Sequence, residues 1–363
     1  MTVTAAQARI RPAMNPRRYL GTAWRHPIAR AVLKAILTIW AATTITFFLI
    51  RLMPGSPVDI KIDELINTSN GALTYDEARV IASSLFAIDL NAPLHEQYLS
   101  FMSNVARGDL GHSFLSSGTT VLSIIMGVLP WTLFAVGSGL LLSFAVGVGL
   151  GLVAAYRRNS VFDHAVSTIA SVATSVPNFL IALLIVLIFG VQMGLLPIAS
   201  MRGSYTPGTP IGFTATFIFD VLFHAALPIT VFFLTNLGHW ILSMRSATLA
   251  ALDEDYVTAA RARGLTDGRI TTAYVGRNAV LPLVTQFAIA AGYVVGGAVV
   301  IESIFVYQGV GLRLLNAVFQ RDYPVMQGIV LITTASVVVA NLIADLLYTR
   351  LDPRIGRAGG SSG

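Results

Sequence analysis

The sequence predicts an all-α membrane protein with six transmembrane helices, cytoplasmic N- and C-termini, and an external region between the first and second spans. Three observations carry that prediction. Of 363 residues, 55% are hydrophobic and only 12% charged, against a charged share of about 25% in soluble globular domains. The apolar residues fall in long runs, Ala35 to Ile50, Leu110 to Tyr156, Ala165 to Met201, Val221 to Met244, Asn278 to Ile301 and Tyr323 to Ala344, each able to supply a helix of about 20 residues across a bilayer. The basic residues then alternate with these runs as cytoplasmic segments do.

Taken in order, the segment before the first run holds Arg9, Arg11, Arg17, Arg18, Arg25, Arg30 and Lys34 and no acidic residue. This places residues 1–30 in the cytoplasm as a basic N-terminal segment. The run that follows is too long for a secretory leader and lacks a small-residue cleavage site, so it is read as a retained span. Beyond it the prolines Pro54 and Pro57 stop the helix, and an external region over about 54–127 follows. It is rich in Asp and Glu (Asp59, Asp63, Glu64, Asp76, Glu77, Asp89, Glu96, Asp109) and poor in bases. Within it Leu94, Tyr98, Phe101, Met102 and Val105 recur at helical spacing, which predicts an amphipathic helix ended by Gly108 and Gly111. That helix is read as a cap over the spans or a contact for an extracytoplasmic partner.

Pro130 is expected to divide the run from Leu110, leaving the second span at about Trp131 to Tyr156. Arg157 and Arg158 return the chain to the cytoplasm. The glycines Gly147, Gly149 and Gly151, and later Gly292, Gly296 and Gly297, contain the spacing of four that lets helix backbones approach closely in lipid. Pro177 in the third span and Pro228 in the fourth are candidate kinks. Arg350, Arg354 and Arg357 follow the last span, and Gly359 to Gly363 reads as a flexible tail or linker scar. The expected organisation is therefore 1–30, a transmembrane domain over 31–352, and a tail over 353–363.

Several chemistries are excluded. There is no cysteine, hence neither disulfide nor thiolate metal site. Neither lysine follows a glycine, so no phosphate-binding loop of the G-x-x-x-x-G-K-[ST] type exists, and H-E-x-x-H and G-x-S-x-G are absent, which removes the first residue of zinc and serine hydrolase readings. The bases are distributed by membrane side rather than gathered for nucleic acid. The spans offer His224 and His239, with Glu302 and Asp345 near span ends, few groups for an ion-driven carrier. A stand-alone ion-coupled carrier or channel is the alternative from another class.

One polar stretch interrupts the apolar runs. Leu249 to Pro282 reads LAALDEDYVTAARARGLTDGRITTAYVGRNAVLP. Asp253, Glu254 and Asp255 stand where a helix starting near Tyr256 would have its positive end, and Gly264 where it would stop. The expected helix is about eight residues, roughly 12 Å long, too short to be stable without something packed on it. Ala259, Ala260 and Ala262 would keep it slim enough for a cleft, with Asp255, Arg261 and Arg263 orienting it. Thr266 would cap a second segment running to about Arg277. An amphipathic helix on lipid headgroups suits the arginines but not three consecutive acids.

The order Asp255-Tyr256-Val257-Thr258-Ala259-Ala260-Arg261-Ala262-Arg263-Gly264-Leu265, then Arg277-Asn278-Ala279 and Leu281-Pro282, resembles the EAA loop of bacterial ABC importer permeases of the dipeptide/oligopeptide/nickel class. Further matches occur in order: Arg51 to Pro57, Gly108-Asp109-Leu110-Gly111, Val176-Pro177-Asn178-Phe179, Gly194-Leu195-Leu196-Pro197, Gly297 to Phe305 followed by Gly309-Val310-Gly311, and Arg321-Asp322-Tyr323-Pro324. The resemblance implies a permease of the cytoplasmic membrane whose loop over about 249–278 is a coupling element. Asp255, Tyr256, Thr258, Ala259, Ala260, Arg261, Arg263, Gly264 and Leu265 would dock an ATPase subunit. It implies as partners a second homologous permease, two ATPase domains and an extracytoplasmic substrate-binding protein. No cofactor would sit on this chain, since ATP and Mg belong to the ATPase subunits, and the chain itself would not be an enzyme. Peptides are the expected cargo, with oligosaccharides or nickel complexes as alternatives. Two departures stand out: Thr258 replaces the glutamate that names the loop, and Asp89-Leu-Asn-Ala-Pro93 is longer than the usual Asp-x-Pro.

Overall fold

The computed structural model describes residues 27–53, 57–69, 72–85, 92–116, 118–297 and 299–351. The basic segment before residue 27 and the tail after 351 lie outside them. Among the described residues the chain is helical, and the extended pairing is confined to an isolated bridge between His112 and Thr120.

The first long helix, α1, covers Pro27–Arg51. Helices α2 (Pro57–Thr68), α3 (Tyr75–Leu85) and α4 (Leu94–Ala106) form the region expected to be external. Only α4 was legible from apolar periodicity. Helix α3 opens on a reciprocal cap that its sequence does encode: the Thr74 amide and hydroxyl both donate to the Glu77 carboxylate at 2.9 and 2.8 Å, and the Glu77 amide donates back to Thr74 Oγ1. This is the Thr-x-x-Glu capping box. These bonds hold the Glu77 carboxyl below its ordinary pKa.

Helix α5 spans Val121–Tyr156, 36 residues, or roughly 54 Å at 1.5 Å per residue. The expected division at Pro130 is not there. Pro130 lies inside a continuous helix, as prolines do in membrane helices where neighbours satisfy the freed carbonyl. Helix α6 (Val161–Ser175) and helix α7 (Asn178–Ile185, continued as a π-helix over Val186–Gln192) meet at a 99° bend across Val176 and Pro177. The proline expected to kink the third span instead breaks it. Helix α8 (Ala215–Leu252) runs through Pro228 as one element.

After α8 come the short α9 (Asp255–Ala262), α10 (Asp267–Arg269, continued as a π-helix over Ile270–Gly276), α11 (Arg277–Val294), α12 (Val299–Ile304), α13 (Val310–Gln320) and α14 (Tyr323–Leu351). Among the described residues four helices, α1, α5, α8 and α14, are long and apolar enough to cross a membrane, and the bent α6–α7 pair makes a fifth if it counts as one span. The expected span from Asn278 to Ile301 is the 18-residue α11, which starts on Arg277 and Asn278, carries Gln286, and falls short of that measure.

The bundle closes on small residues. On α5, Ala135, Gly139, Ser143, Gly147 and Gly151 recur every fourth position and all are buried, forming one stripe along the helix. A Cβ added to Gly147 would lie 2.5 Å from the Cβ of Trp240, and one on Gly151 would lie 2.5 Å from the Ile241 carbonyl. Helices α5 and α8 thus approach at backbone distance, as membrane helices do through small residues. Gly238 of α8 meets Ala170 and Thr174 of α6, and Gly292 of α11 and Gly296 in the turn after it meet Ala340 and Thr333 of α14. Gly149, in contrast, faces open space.

Candidate coupling helix and the joints around it

The two ends of α5 mark the two ends of the bundle. Its start packs in a core with Ile50, Ile62, Ala78, Phe114 and Tyr323, so α2, α3 and the start of α14 gather there. Its far end, at Ala155 and Tyr156, shares a cavity of about 200 Å³ with Leu252, Asp253, Arg261, Asp267 and Thr271. The polar stretch therefore sits at the end opposite α2–α4.

Helix α9 occupies Asp255–Ala262, eight residues, where the sequence places it. Its start needs no side-chain cap: Glu254 takes the extended N-cap conformation without a capping bond, and Asp255 supplies negative charge in the first turn. Thr266, at the N-cap of α10, makes no capping bond either. The end of α9 is more tightly specified. Gly264 has φ +76°, its amide donates to the Arg261 carbonyl at 2.9 Å, and the Leu265 amide donates to the Ala260 carbonyl at 3.3 Å. This pair of bonds around a left-handed glycine is a Schellman motif. Its customary apolar contact is present too, since Leu265 packs on the cluster containing Ala260.

That cluster is how α9 is held. Val257, Ala260, Ile270 and Val275 are buried together, with Ala251, Leu252, Tyr256 and Leu265 packed around them. Val257 is fully buried and Ala260 is 5% exposed. The expected docking residues therefore divide. Asp255, Thr258, Ala259, Arg261, Arg263 and Gly264 are exposed, while Tyr256 and Leu265 are half-buried and Ala260 faces inward. Asp255, Thr258, Ala259 and Ala262 follow the i, i+3, i+4, i+7 rule and form one slim outward face. Arg261 turns sideways, its Nε 3.5 Å from Asp267 Oδ1, with both side chains more than half exposed. Val257, the anchor, was not singled out from the sequence, although its place at i−3 from Ala260 could have marked it.

A part-buried ion pair braces the same end. Arg245 of α8 donates from Nε to Asp163 Oδ1 at 2.6 Å and from Nη2 to Oδ2 at 2.9 Å, a bidentate pair across to the start of α6. The Asp163 side chain is 1% exposed and also accepts from the Asn159 amide and the Ser167 hydroxyl. The sequence marks Arg245 only as one of the bases of a cytoplasmic segment, and its pairing with Asp163 is not legible there because it spans 82 positions.

The opposite half carries two buried carboxylates held by neutral donors. Glu302 of α12, 1% exposed, accepts from the Thr132 hydroxyl of α5 at 2.8 Å and from the Leu312 amide of α13 at 2.9 Å. Thr132 accepts in turn from the Val310 amide at 2.7 Å, and the Tyr307 hydroxyl donates to the Trp131 carbonyl at 3.2 Å. Gly297, Gly309 and Gly311 crowd the carboxylate so closely that a Cβ at any of them would strike it. Asp322 accepts from the Ser113 hydroxyl and, at 3.1 Å, from the Phe114 amide, fastening the start of α14 to the loop before α5.

Residues 147–357 match the family described as the binding-protein-dependent transport system inner membrane component. The chain belongs to that family. The match takes in α9 with its cluster, the Asp163–Arg245 pair and Glu302, and leaves α2–α4 and Thr132 before it. Relatives match over nearly their full length. A protein of Brucella suis biovar 1 (strain 1330), a peptide permease by name, is 38% identical over 318 residues, covering 87% of this chain and 94% of its own. The di/tripeptide transport system permease protein of Pseudomonas aeruginosa (strain UCBPP-PA14) is 33% identical over 338 residues, covering 90% and 98%. The oligopeptide transport system permease protein of Bacillus subtilis (strain 168) is 32% identical over 328 residues, also covering 90% and 98%. This inner membrane component is thus a multi-pass bacterial membrane protein, and its relatives are transport subunits rather than enzymes.

Proposed function

We propose that this chain is one of two membrane-spanning permeases of an ATP-driven importer of di- and oligopeptides, and that α9 docks an ATPase subunit. The observation that carries the reading is α9 itself: a short helix anchored inward by Val257 and Ala260, with Asp255, Thr258, Ala259 and Ala262 turned outward. A helix of eight residues does not stand alone, and its exposed side, built of small residues, suits entry into a groove on a partner. Asp255, Arg261 and Arg263 orient it there, and Gly264 sets the turn behind it. The peptide cargo follows from the relatives named for di/tripeptide and oligopeptide transport. In this reading α11 completes a six-span permease with both termini cytoplasmic, an extracytoplasmic protein delivers the peptide to the α2–α4 side, and ATP and Mg act entirely on the ATPase subunits.

The test is uptake of a labelled dipeptide by proteoliposomes containing the chain, its partner permease, both ATPase domains and the binding protein. Uptake that needs all components and ATP, and that fails with Gly264→Val while assembly of the membrane subunits persists, is the expected result. Peptide flux through the chain alone, without ATP, overturns the reading.

A further inference from the structure

We propose that the groove between the first and last long helices, at the α9 end of the bundle, is a binding site for an anionic phospholipid. The groove has a volume of about 430 Å³ and is lined on α1 by Arg30, Ala31, Lys34, Ala35 and Thr38 and on α14 by Val338, Asn341 and Leu342. On α1 these residues follow one face, i, i+1, i+4, i+5 and i+8, and the two alanines open the space between the helices. Thr38 donates its hydroxyl back to the Lys34 carbonyl at 2.8 Å, which leaves the Lys34 ammonium and the Asn341 amide as donors toward the groove. Among the described residues Lys34 makes no ion pair.

Position and charge name the occupant. Arg30 and Lys34 stand within the first eight residues of a helix long and apolar enough to cross a membrane, where lipid phosphates would lie, and basic pockets between membrane helices at this level take anionic headgroups. Beside them Leu33, Ile36 and Leu37 are exposed, an apolar flank along which acyl chains can lie. A soluble anion would use the cations and leave that flank unused. The chain's own N-terminal segment is an unsuitable occupant, since Arg9, Arg11, Arg17, Arg18 and Arg25 would set like charges against Arg30 and Lys34. The site needs only that α1 spans a bilayer and is independent of which cargo the importer carries.

The experiment follows thermal unfolding of the purified complex in a neutral detergent, titrated separately with phosphatidylglycerol, phosphatidylcholine and inorganic phosphate. Mass spectrometry of retained lipid accompanies it. Phosphatidylglycerol is expected to raise the midpoint and to remain bound through delipidating washes, with the other two leaving it unchanged. Lys34→Gln should remove more than half of the rise, and Ala35→Trp, which fills the groove, should remove it without lowering the midpoint in detergent alone. Lys61→Gln, an equal loss of charge on α2, should leave the response intact. An equal rise with phosphatidylcholine, a rise with phosphate alone, or an undiminished response in both groove variants would overturn the proposal.

Discussion

The two ends of this permease are held together by different chemistry. At the α2–α4 end, Glu302 and Asp322 are buried carboxylates whose partners are hydroxyls and backbone amides, drawn from α5, α13 and the loop before α5. The bonds to Thr132, Ser113 and Phe114 close long stretches of chain, and glycines leave no slack around the Glu302 carboxylate. At the opposite end the one buried carboxylate described here, Asp163, meets a full countercharge in Arg245. Beyond that brace, α9 rests on the bundle through a small apolar cluster. The difference teaches that the α2–α4 half is built as a fixed frame, whereas α9 is an attached part whose outward face is not needed for the chain's own packing.

Breaking that contrast gives effects of decreasing size. Arg245→Ala leaves the Asp163 carboxylate buried without its countercharge, which costs about 3 kcal/mol, and should appear as a large drop in the thermal midpoint of the detergent-solubilised complex. The double replacement Asp163→Leu with Arg245→Met should recover most of it, because removing both charges of a buried pair is often nearly neutral. Glu302→Gln leaves one acceptor oxygen where the carboxylate offers two, to Thr132 and Leu312, and the acceptor lost costs about 1–3 kcal/mol. Gly309→Ala should cost a comparable amount by overpacking, and combining the two should cost less than their sum, since both act on one carboxylate.

Gly264→Val sharpens the comparison from the other side. A β-branched residue at φ +76° carries strain of about 1–3 kcal/mol, confined to the turn behind α9. Transport should fall about tenfold or more, as about 1.4 kcal/mol in docking corresponds to a factor of ten, while the thermal midpoint moves far less than with Arg245→Ala. Smallest of all, Arg261→Gln removes an exposed pair with Asp267 and should change the unfolding free energy by under about 1 kcal/mol.

Much of this was legible in the sequence, for local reasons. The bounds of α9, the left-handed Gly264, the amphipathic α4 and the close approach at Gly147, Gly151, Gly292 and Gly296 all follow from spacings of three or four residues. What escaped has two causes. Some features are tertiary: Asp163 with Arg245, Glu302 with Thr132 and Asp322 with Ser113 join residues 82, 170 and 209 positions apart, and no single-chain pattern marks such pairs. Others turn on context. Pro130 and Pro177 read alike in sequence, yet α5 absorbs the first, whereas the chain turns by 99° at the second. The inward turn of Ala260 was hidden among three similar alanines, because which face is buried depends on Ile270 and Val275.

The absence of native cysteine makes the central claim directly measurable. Single cysteines at Ala259 and Ala260, one residue apart on α9, can be cross-linked in membranes containing the assembled importer with an ATPase subunit that carries a cysteine in its groove. The account predicts that Ala259→Cys forms the cross-link in high yield and that Ala260→Cys, buried against the bundle, does not. Equal cross-linking at both positions, or none at Ala259 in a complex that still transports peptide, would contradict it.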